Sequence, residues 1–401
     1  MATEAYIFDA VRTPRGKGKP GGGMYEVKPI DLVKNLLDAI KERNNLDTDY
    51  VEDLLLATHE PIGEQACNIA KSALIYSGWS QNTTGAQLHR YCAGGLEACN
   101  IAAAKIHAGY EDLILAGGVE SMSRLGIGAA GAASGDPWVA MQSYGISQGL
   151  GADLVAHLEG FDRKDVDTYA AMSQNRASEA WEKGYFKKSI VPVRDMNGVV
   201  VCDKDELVRP GTTVEKLSGL NPSFQMFNDF GHGDMLKFKY PQVENIQCLH
   251  SPGNSSGVVD GASLVLIGSE KAGKDLGLKP RARIVTGVLV GTEPTIMLMG
   301  PVPAAEKALK KAGLTFDDID LFEVNEAFAA VALTFQKHTG VSMDKINVNG
   351  GAIAMGHPIG ATGGMLVGTL VDELERRGLK RGMVVLCAGG GIGIASIIEL
   401  V

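Results

Sequence analysis

The chain has 401 residues, 45% of them hydrophobic and 21% charged, which is enough for two or three domain-sized units and too apolar for wholesale disorder. Its 38 basic and 47 acidic residues leave a net charge of −9. That argues against nucleic acid as the main partner, because duplex binding rests on Lys and Arg neutralising phosphates; a small anionic ligand on a local basic patch stays open.

The first residues, up to Phe8-Asp9, read as a strand rather than a secretory leader. Further strands are predicted at Tyr6–Ala10, Leu54–Ala57, Ala262–Ile267, Ile284–Val290 and Leu321–Val324. Helices are predicted over Ile30–Lys41, Ala66–Ser77, Pro301–Ala312 and Glu326–His338. Strand and helix alternate, so the class is α/β. The stretch 119–250 breaks the alternation with many charges, an amphipathic helix near Val166–Lys183 and turn-rich Gly, Asn and Pro segments. It reads as an insertion carrying substrate contacts. The domains expected are a first half of 1–118 plus 251–270, the insertion 119–250, and a second half of 271–401. The uncharged run from Ile346 to Val371, apart from His357, is long enough to span a membrane, but its Asn347, Asn349, Pro358 and many glycines argue against a lipid-facing helix.

Two segments repeat one another. Tyr91-Cys-Ala-Gly-Gly leads through an apolar stretch to Gly109 and then Leu113-Ile-Leu-Ala-Gly-Gly. His357-Pro-Ile-Gly-Ala-Thr-Gly-Gly leads through another to Gly378 and then Val384-Val-Leu-Cys-Ala-Gly-Gly. Both read as Gly-rich turn, helix, strand, Ala-Gly-Gly. Leu96, Cys99, Ala103 and Ile106 form one apolar helix face, and the glycines at 109 and 378 stop the helices.

The chemistry-bearing residues fall at the ends of these units. Cys92 stands at a helix N-terminus, where exposed amides and the dipole favour a thiolate; the plainer reading is a buried structural cysteine. His357 occupies the equivalent turn, which Pro358 and Gly360 stiffen into a mount for an imidazole. Cys387 ends a hydrophobic strand before three glycines whose N–H groups are free to bind an oxyanion. Asn325 lies between a strand and a helix, where a helix cap is the plain role. The six cysteines include no C-x-x-C pair, so neither a zinc site nor a disulfide framework is expected, and a reducing, cytoplasmic setting fits. Gly268-Ser-Glu-Lys-Ala-Gly-Lys-Asp275 nearly fits a phosphate-binding loop, but Asp275 stands where the magnesium-binding hydroxyl belongs. Gly389–Gly393 lacks the third glycine of a dinucleotide fingerprint.

Taken together, these stretches resemble the thiolase family from end to end. The markers are Val324-Asn-Glu-Ala-Phe, the run from Asn349 through His357-Pro-Ile-Gly-Ala-Thr-Gly, Cys387-Ala-Gly-Gly-Gly, Gly253-Asn-Ser-Ser-Gly and Gly117-Gly-Val-Glu-Ser-Met-Ser. The resemblance implies a duplicated βαβαβαββ unit, layered α-β-α-β-α, with a loop domain inserted in the first half. It implies that Cys92 is the acylated nucleophile, that His357 activates it, and that Cys387 is the acid/base at the acetyl α-carbon. Asn325 then positions a water that, with His357, stabilises the thioester enolate. The N–H groups of Cys92 and Gly389 form the second oxyanion hole, and Ser256 contacts the pantetheine arm of coenzyme A. The implied reaction is reversible exchange of 3-ketoacyl-CoA plus CoA with acetyl-CoA plus a shortened acyl-CoA. CoA is a co-substrate and no cofactor is permanently bound; the family assembles as dimers or dimers of dimers. An acetoacetyl-CoA thiolase working in the synthetic direction and a silent acyl-CoA or lipid carrier are the rival readings; the complete residue set argues against the carrier. Four positions depart from the family pattern: His89 for Asn, Gly94 for Ser or Thr, Gln148-Gly-Leu-Gly-Ala-Asp153 for Met-Gly-x-Thr-Ala-Glu, and Asn221 for a basic residue. They bear on acyl-chain preference and CoA contacts. The CoA phosphates are expected to meet a few of the insertion's cations, Arg163, Lys164, Arg176, Lys183, Lys187, Lys188, Arg209, Lys216, Lys237 and Lys239.

Overall fold

The structure is a computed structural model and describes residues 3–401. The first half runs β1 (Tyr6–Arg12), α1 (Pro29–Arg43), β2 (Asp53–Ala57), α2 (Ile69–Tyr76), β3 (Thr84–Leu88), α3 (Gly94–His107), β4 (Leu113–Ser121) and, beyond a long insertion, β5 (Val259–Gly268). Two helices of the insertion matter below, α4 (Gln148–Glu159) and α5 (Arg163–Glu182). The second half runs β6 (Ala282–Gly291), α6 (Pro301–Ala312), β7 (Leu321–Val324), α7 (Ala329–Thr339), α8 (Thr362–Arg377), β8 (Arg381–Ala388) and β9 (Ile392–Leu400).

The duplication is visible in the sheet. Strands of the first half lie in the order β3-β2-β4-β5-β1 and those of the second in the order β7-β8-β9-β6. An isolated bridge, Phe322 with Ile346, stands on the outer side of β7 where the first half has β3. In each half the strand after the central helix runs parallel to its outer neighbour and antiparallel to its inner one. β1 and β6 join the halves through two residue pairs, Tyr6–Arg283 and Ile7–Ala282.

Strand alternation sorts side chains into layers. Leu54, Leu56, Leu113, Leu115, Leu264 and Leu266 pack on α1 and α2, on one outer face. Val288, Phe322, Val324, Met383, Val385 and Ile397 pack on α6 and α7, on the other. Between the two halves, α3 and α8 share one core with Leu55, Ile114, Val265, Val384, Leu386 and Ile398. The result is the α-β-α-β-α stack, with α3 and α8 enclosed at its centre. Each buried aliphatic side chain there contributes about 1.5–3 kcal/mol. The close fit depends on the glycines of the repeated motif. A Cβ at Gly363 would collide with the backbone of Leu96, and one at Gly118 with the carbonyl of Gly360.

Most predicted elements stand where expected, with ends extended by one to three residues. Three differ. The helix expected over Ala66–Ser77 begins at Ile69, because Cys67 and Asn68 take positive φ and the Asn68 side chain caps the helix through the N–H of Lys71. The helix expected from Glu326 begins at Ala329, four residues after Asn325. The run from Ile346 to Val371 is broken into the short helix Ala352–Met355, a turn, and the start of α8; among the described residues no helix is long and apolar enough to cross a membrane. The near-fit to a phosphate loop is a surface helix, Glu270–Leu276, capped by Ser269, with Lys274 paired to Glu270.

Candidate active site

Cys92 sits in a single 3₁₀ turn, Tyr91–Ala93, that runs into α3. Tyr91 is held at φ +47°, a strained value for a bulky residue that aims the following side chain inward. Its ring covers Gly389, within van der Waals range of where a Cβ would be. Gly94 follows because a Cβ there would press on the side chain of Ala57 at 2.9 Å, which accounts for the missing Ser or Thr.

His357 reaches the same place from the second half. Its backbone N–H donates to Gly257 O at 2.9 Å, and the following turn is gripped by Glu120. The buried Glu120 carboxylate accepts from the N–H groups of His59, Glu60 and Gly360 and from the Gln65 amide. Glu120 belongs to the Gly117–Ser123 motif, and its role is to tie that strand to the turn carrying the imidazole.

Thr362 fixes the tautomer of His357. The Thr362 hydroxyl donates its only proton to Pro358 O at 2.9 Å. It must therefore accept from His357 Nδ1–H, 2.6 Å away, which leaves Nε2 with a free lone pair. The Asn325 amide N–H₂ faces that lone pair at 3.4 Å, while the Asn325 backbone N–H donates to Val385 O at 2.9 Å. Asn325 Oδ1 is buried with no partner among the described residues. Asn325 is thus a residue of the site, and the helix-cap reading falls because the cap of α7 is Phe328.

Cys387, at the end of β8, is fully buried and close enough to Cys92 for the two sulfurs to interact electrostatically. The backbone N–H groups of Gly389 and of Cys92 itself lie near enough to Cys92 Sγ to favour its thiolate. The N–H of Ser256 donates to Ala327 O at 2.9 Å, two residues along the chain from Asn325.

Burial sets the protonation states. It pushes the Cys92 thiol up to about 11, although the Gly389 and Cys92 amides pull the other way. The thiolate expected from the helix N-terminus is therefore not the resting form: desolvation outweighs the amides. Burial drives His357 down to about 3, helped by the nearby His59 and Arg15, so it is a neutral imidazole. Cys387 is pushed far above an ordinary thiol by burial and then by Cys92. Two protonated thiols lie together, and the neutral imidazole of the second half faces Asn325.

Sequence reasoning missed Thr362 and Glu120 as site residues. Both lie inside motifs already singled out, at five residues after His357 and three after Gly117. Only the hydrogen bonds identify them.

An α/β enzyme built of two similar halves, with paired buried thiols beside glycine-rich turns, is the class that this site and fold define. The chain matches the thiolase N-terminal domain over residues 5–229 and the thiolase C-terminal domain over residues 278–400. It is 38% identical to a 3-ketoacyl-CoA thiolase of Cronobacter sakazakii, over 98% of this chain and 99% of that one. It is also 38% identical to the 3-oxoadipyl-CoA/3-oxo-5,6-dehydrosuberyl-CoA thiolase of Escherichia coli, over 99% and 100%. The crystal structure of the Bacillus anthracis acetyl-CoA acetyltransferase superposes with a TM-score of 0.85 at 33% identity, covering 100% of this chain and 99% of that one. The chain belongs to the thiolase family.

Proposed function

We propose that this thiolase cleaves a 3-ketoacyl-CoA with CoA, giving acetyl-CoA and a shortened acyl-CoA, in acyl-CoA degradation. The observation that carries the reading is the hydrogen bonding of His357, whose Nδ1 is taken up by Thr362 and whose Nε2 keeps a free lone pair facing Asn325, in a chain that also holds Cys92 and Cys387 close to one another. Nε2 takes the proton of the Cys92 thiol and the sulfur attacks the ketone carbon. The tetrahedral oxyanion is met by the N–H groups of Cys92 and Gly389. The bond between the α- and β-carbons then breaks, and its electron pair leaves as the enolate of acetyl-CoA. Asn325 and His357 stabilise the enolate oxygen, and Cys387 gives its proton to the carbon. Cys387, now a thiolate, removes the proton of incoming CoA, whose sulfur attacks the acyl-Cys92 thioester. Cys92 leaves as a thiolate and recovers its proton from His357, closing the cycle. Its rise to about 11 supports this order, because a thiol that is protonated at rest needs the base.

The pantetheine arm runs past Ser256, with the nucleotide at the surface of the insertion and assembly as a dimer or dimer of dimers. Relatives named for 3-ketoacyl-CoA and for 3-oxoadipyl-CoA support the degradative direction and leave the acyl chain to be measured. The experiment is a comparison of thiolysis rates on 3-ketoacyl-CoAs from acetoacetyl to long-chain, dicarboxylic and ring-bearing substrates. Activity confined to acetoacetyl-CoA would favour the synthetic role, and no thiolysis of any of them would sink the reading.

A further inference from the structure

The insertion meets the loop that carries Asn325 at a buried residue, His250. Its N–H donates to Asp153 Oδ1 at 2.9 Å, and its carbonyl accepts from the N–H of Ser223 at 2.8 Å. Its ring Nδ1–H donates to the same Asp153 oxygen at 2.7 Å, which leaves Nε2 as a bare lone pair. That nitrogen is buried with no partner among the described residues, and both side chains are fully enclosed. An aliphatic side chain would fill such a slot without orphaning a polar atom. What the imidazole adds is the bond to Asp153, which fixes the plane of the ring.

The ring plane matters because of what stands against it. The His250 ring meets the Phe328 ring edge-on with centroids 5.4 Å apart, and Phe328 meets Phe224 edge-on at 5.8 Å. The Phe224 ring in turn fills the space that a Cβ on Gly149 of α4 would need. Around Phe328 two short stretches of chain pair antiparallel. Ser255 bridges Phe328, the Ser256 N–H donates to Ala327 O at 2.9 Å, and the Ala329 N–H donates to Asn254 O at 3.0 Å. One stretch follows His250 directly and carries Ser256; the other follows Asn325. Helix α5 grips the first stretch as well, because Asn254 Nδ2 donates to Asp167 Oδ1 at 2.8 Å. Asn254 Oδ1 accepts the Ser251 N–H at 2.8 Å, which closes the turn between His250 and the paired stretch.

We propose that His250, oriented by Asp153, is a positioning residue of this thiolase: its ring, set against Phe328, holds residues 254–256 and 327–329 in one register. That register places the pantetheine contact at Ser256 and the enolate contact at Asn325 relative to one another. The proposal rests on the roles given above to those two residues. His250 and Asp153 act through Phe328 and the paired stretches rather than on the reacting atoms. A ring released from Asp153 lets Phe328 turn and the pairing shift, and a misplacement of about 1 Å far from the chemistry can cost as much as about 100-fold in rate.

The test compares three variants of the full-length enzyme. His250→Phe keeps a ring beside Phe328 and loses the bond to Asp153. His250→Asn keeps an amide N–H for Asp153 and loses the ring. Val166→Ala, on α5, opens a cavity in the core that also holds Phe328 and serves as the control for lost stability alone. With a 3-ketoacyl-CoA, both His250 variants should raise KM for CoA and lower kcat per folded molecule, each roughly five- to tenfold. Val166→Ala should lower Tm and leave both constants within about twofold. Amide hydrogen exchange read by mass spectrometry reports the register without turnover: peptides covering 254–257 and 327–329 should exchange faster in both His250 variants than in Val166→Ala. Wild-type kinetics in His250→Phe, or exchange at those peptides no faster than in Val166→Ala, would overturn the proposal. Absence of thiolysis in the wild type would defeat the reading of the reaction alone, since the exchange series still reads the register.

Discussion

Thr362 has one proton and spends it on Pro358 O, so it dictates which nitrogen of His357 is bare. Thr362→Val removes the acceptor for Nδ1–H and lets the imidazole adopt the wrong tautomer. Its kcat should fall roughly 10²-fold, short of the larger loss seen when a buried carboxylate partner is removed, with KM for CoA nearly unchanged. Asn325→Ala should lower kcat by roughly 10–10³ through the loss of one donor to the enolate; a normal kcat with only a lower Tm would return Asn325 to a structural role. The pH behaviour follows from burial. His357 titrates at about 3 folded against a usual 6.5, so between those values the unfolded chain binds a proton that the folded chain does not. Its contribution to stability is complete above pH 6.5 and is lost as pH falls toward 3. The Tm of His357→Asn should therefore decline less than wild type between pH 7 and 5, as read by calorimetry. Cys92, His357, Cys387 and Asn325 were legible in the sequence because the repeat and the motif residues mark their positions. Their protonation states were not, because desolvation depends on neighbours distant in the chain: a helix N-terminus promised a thiolate at Cys92, and enclosure between α3, β8 and the insertion reversed it.

At the scale of elements, the site exists because α3 and α8 approach more closely than side chains would allow. Gly118→Ala on β4 would drive a methyl into the Gly360 carbonyl and push away the turn that holds His357. A loss of roughly 2–3 kcal/mol in chemical denaturation is expected, with lower kcat in the folded fraction; a neutral outcome would mean that the two elements can separate. The helices with one apolar face, α1 and α6, were read correctly within two residues. Of the nine strands named above, two were not read at all. β3, Thr84-Gly-Ala-Gln-Leu, is an edge strand of mixed polarity with no clear alternation, and β9, Ile392–Leu400, is buried along nearly its whole length, so neither carries the period of a half-buried strand. The start of α7 was misjudged because Asn325 and Glu326 look like a cap and first turn. Instead the buried Glu326 accepts from Tyr169, Ser173, Asn347 and the Ile353 N–H, which ties the insertion to the site.

At the scale of the molecule, a protein of net charge −9 is proposed to hold the phosphates of CoA. Many of the insertion's cations have internal partners: Arg163 with Asp167, Arg176 with the carbonyls of Ile346 and Met343, Lys183 with Glu179, Lys188 with Glu375 and Lys237 with Asp234. Lys164, Lys187, Arg209, Lys216 and Lys239 make no ion pair among the described residues; Lys216 is taken up by Gly211 O and Lys239 lies over the Tyr144 ring, which leaves Lys164, Lys187 and Arg209 as the candidates for phosphate. Raising ionic strength should increase KM for CoA while kcat stays nearly flat, and Arg209→Glu or Lys187→Glu should do the same at fixed salt. A KM indifferent to both would move the nucleotide elsewhere. The proposed reaction turns on covalent catalysis by one sulfur, that of Cys92. The most direct test is to mix the enzyme with a 3-ketoacyl-CoA in the absence of free CoA, quench in acid and map the peptides by mass spectrometry. The account predicts the shortened acyl group on the peptide containing Cys92, and its absence from the same peptide in Cys92→Ser. Acyl on the Cys387 peptide, or on none while acetyl-CoA is released, would contradict it.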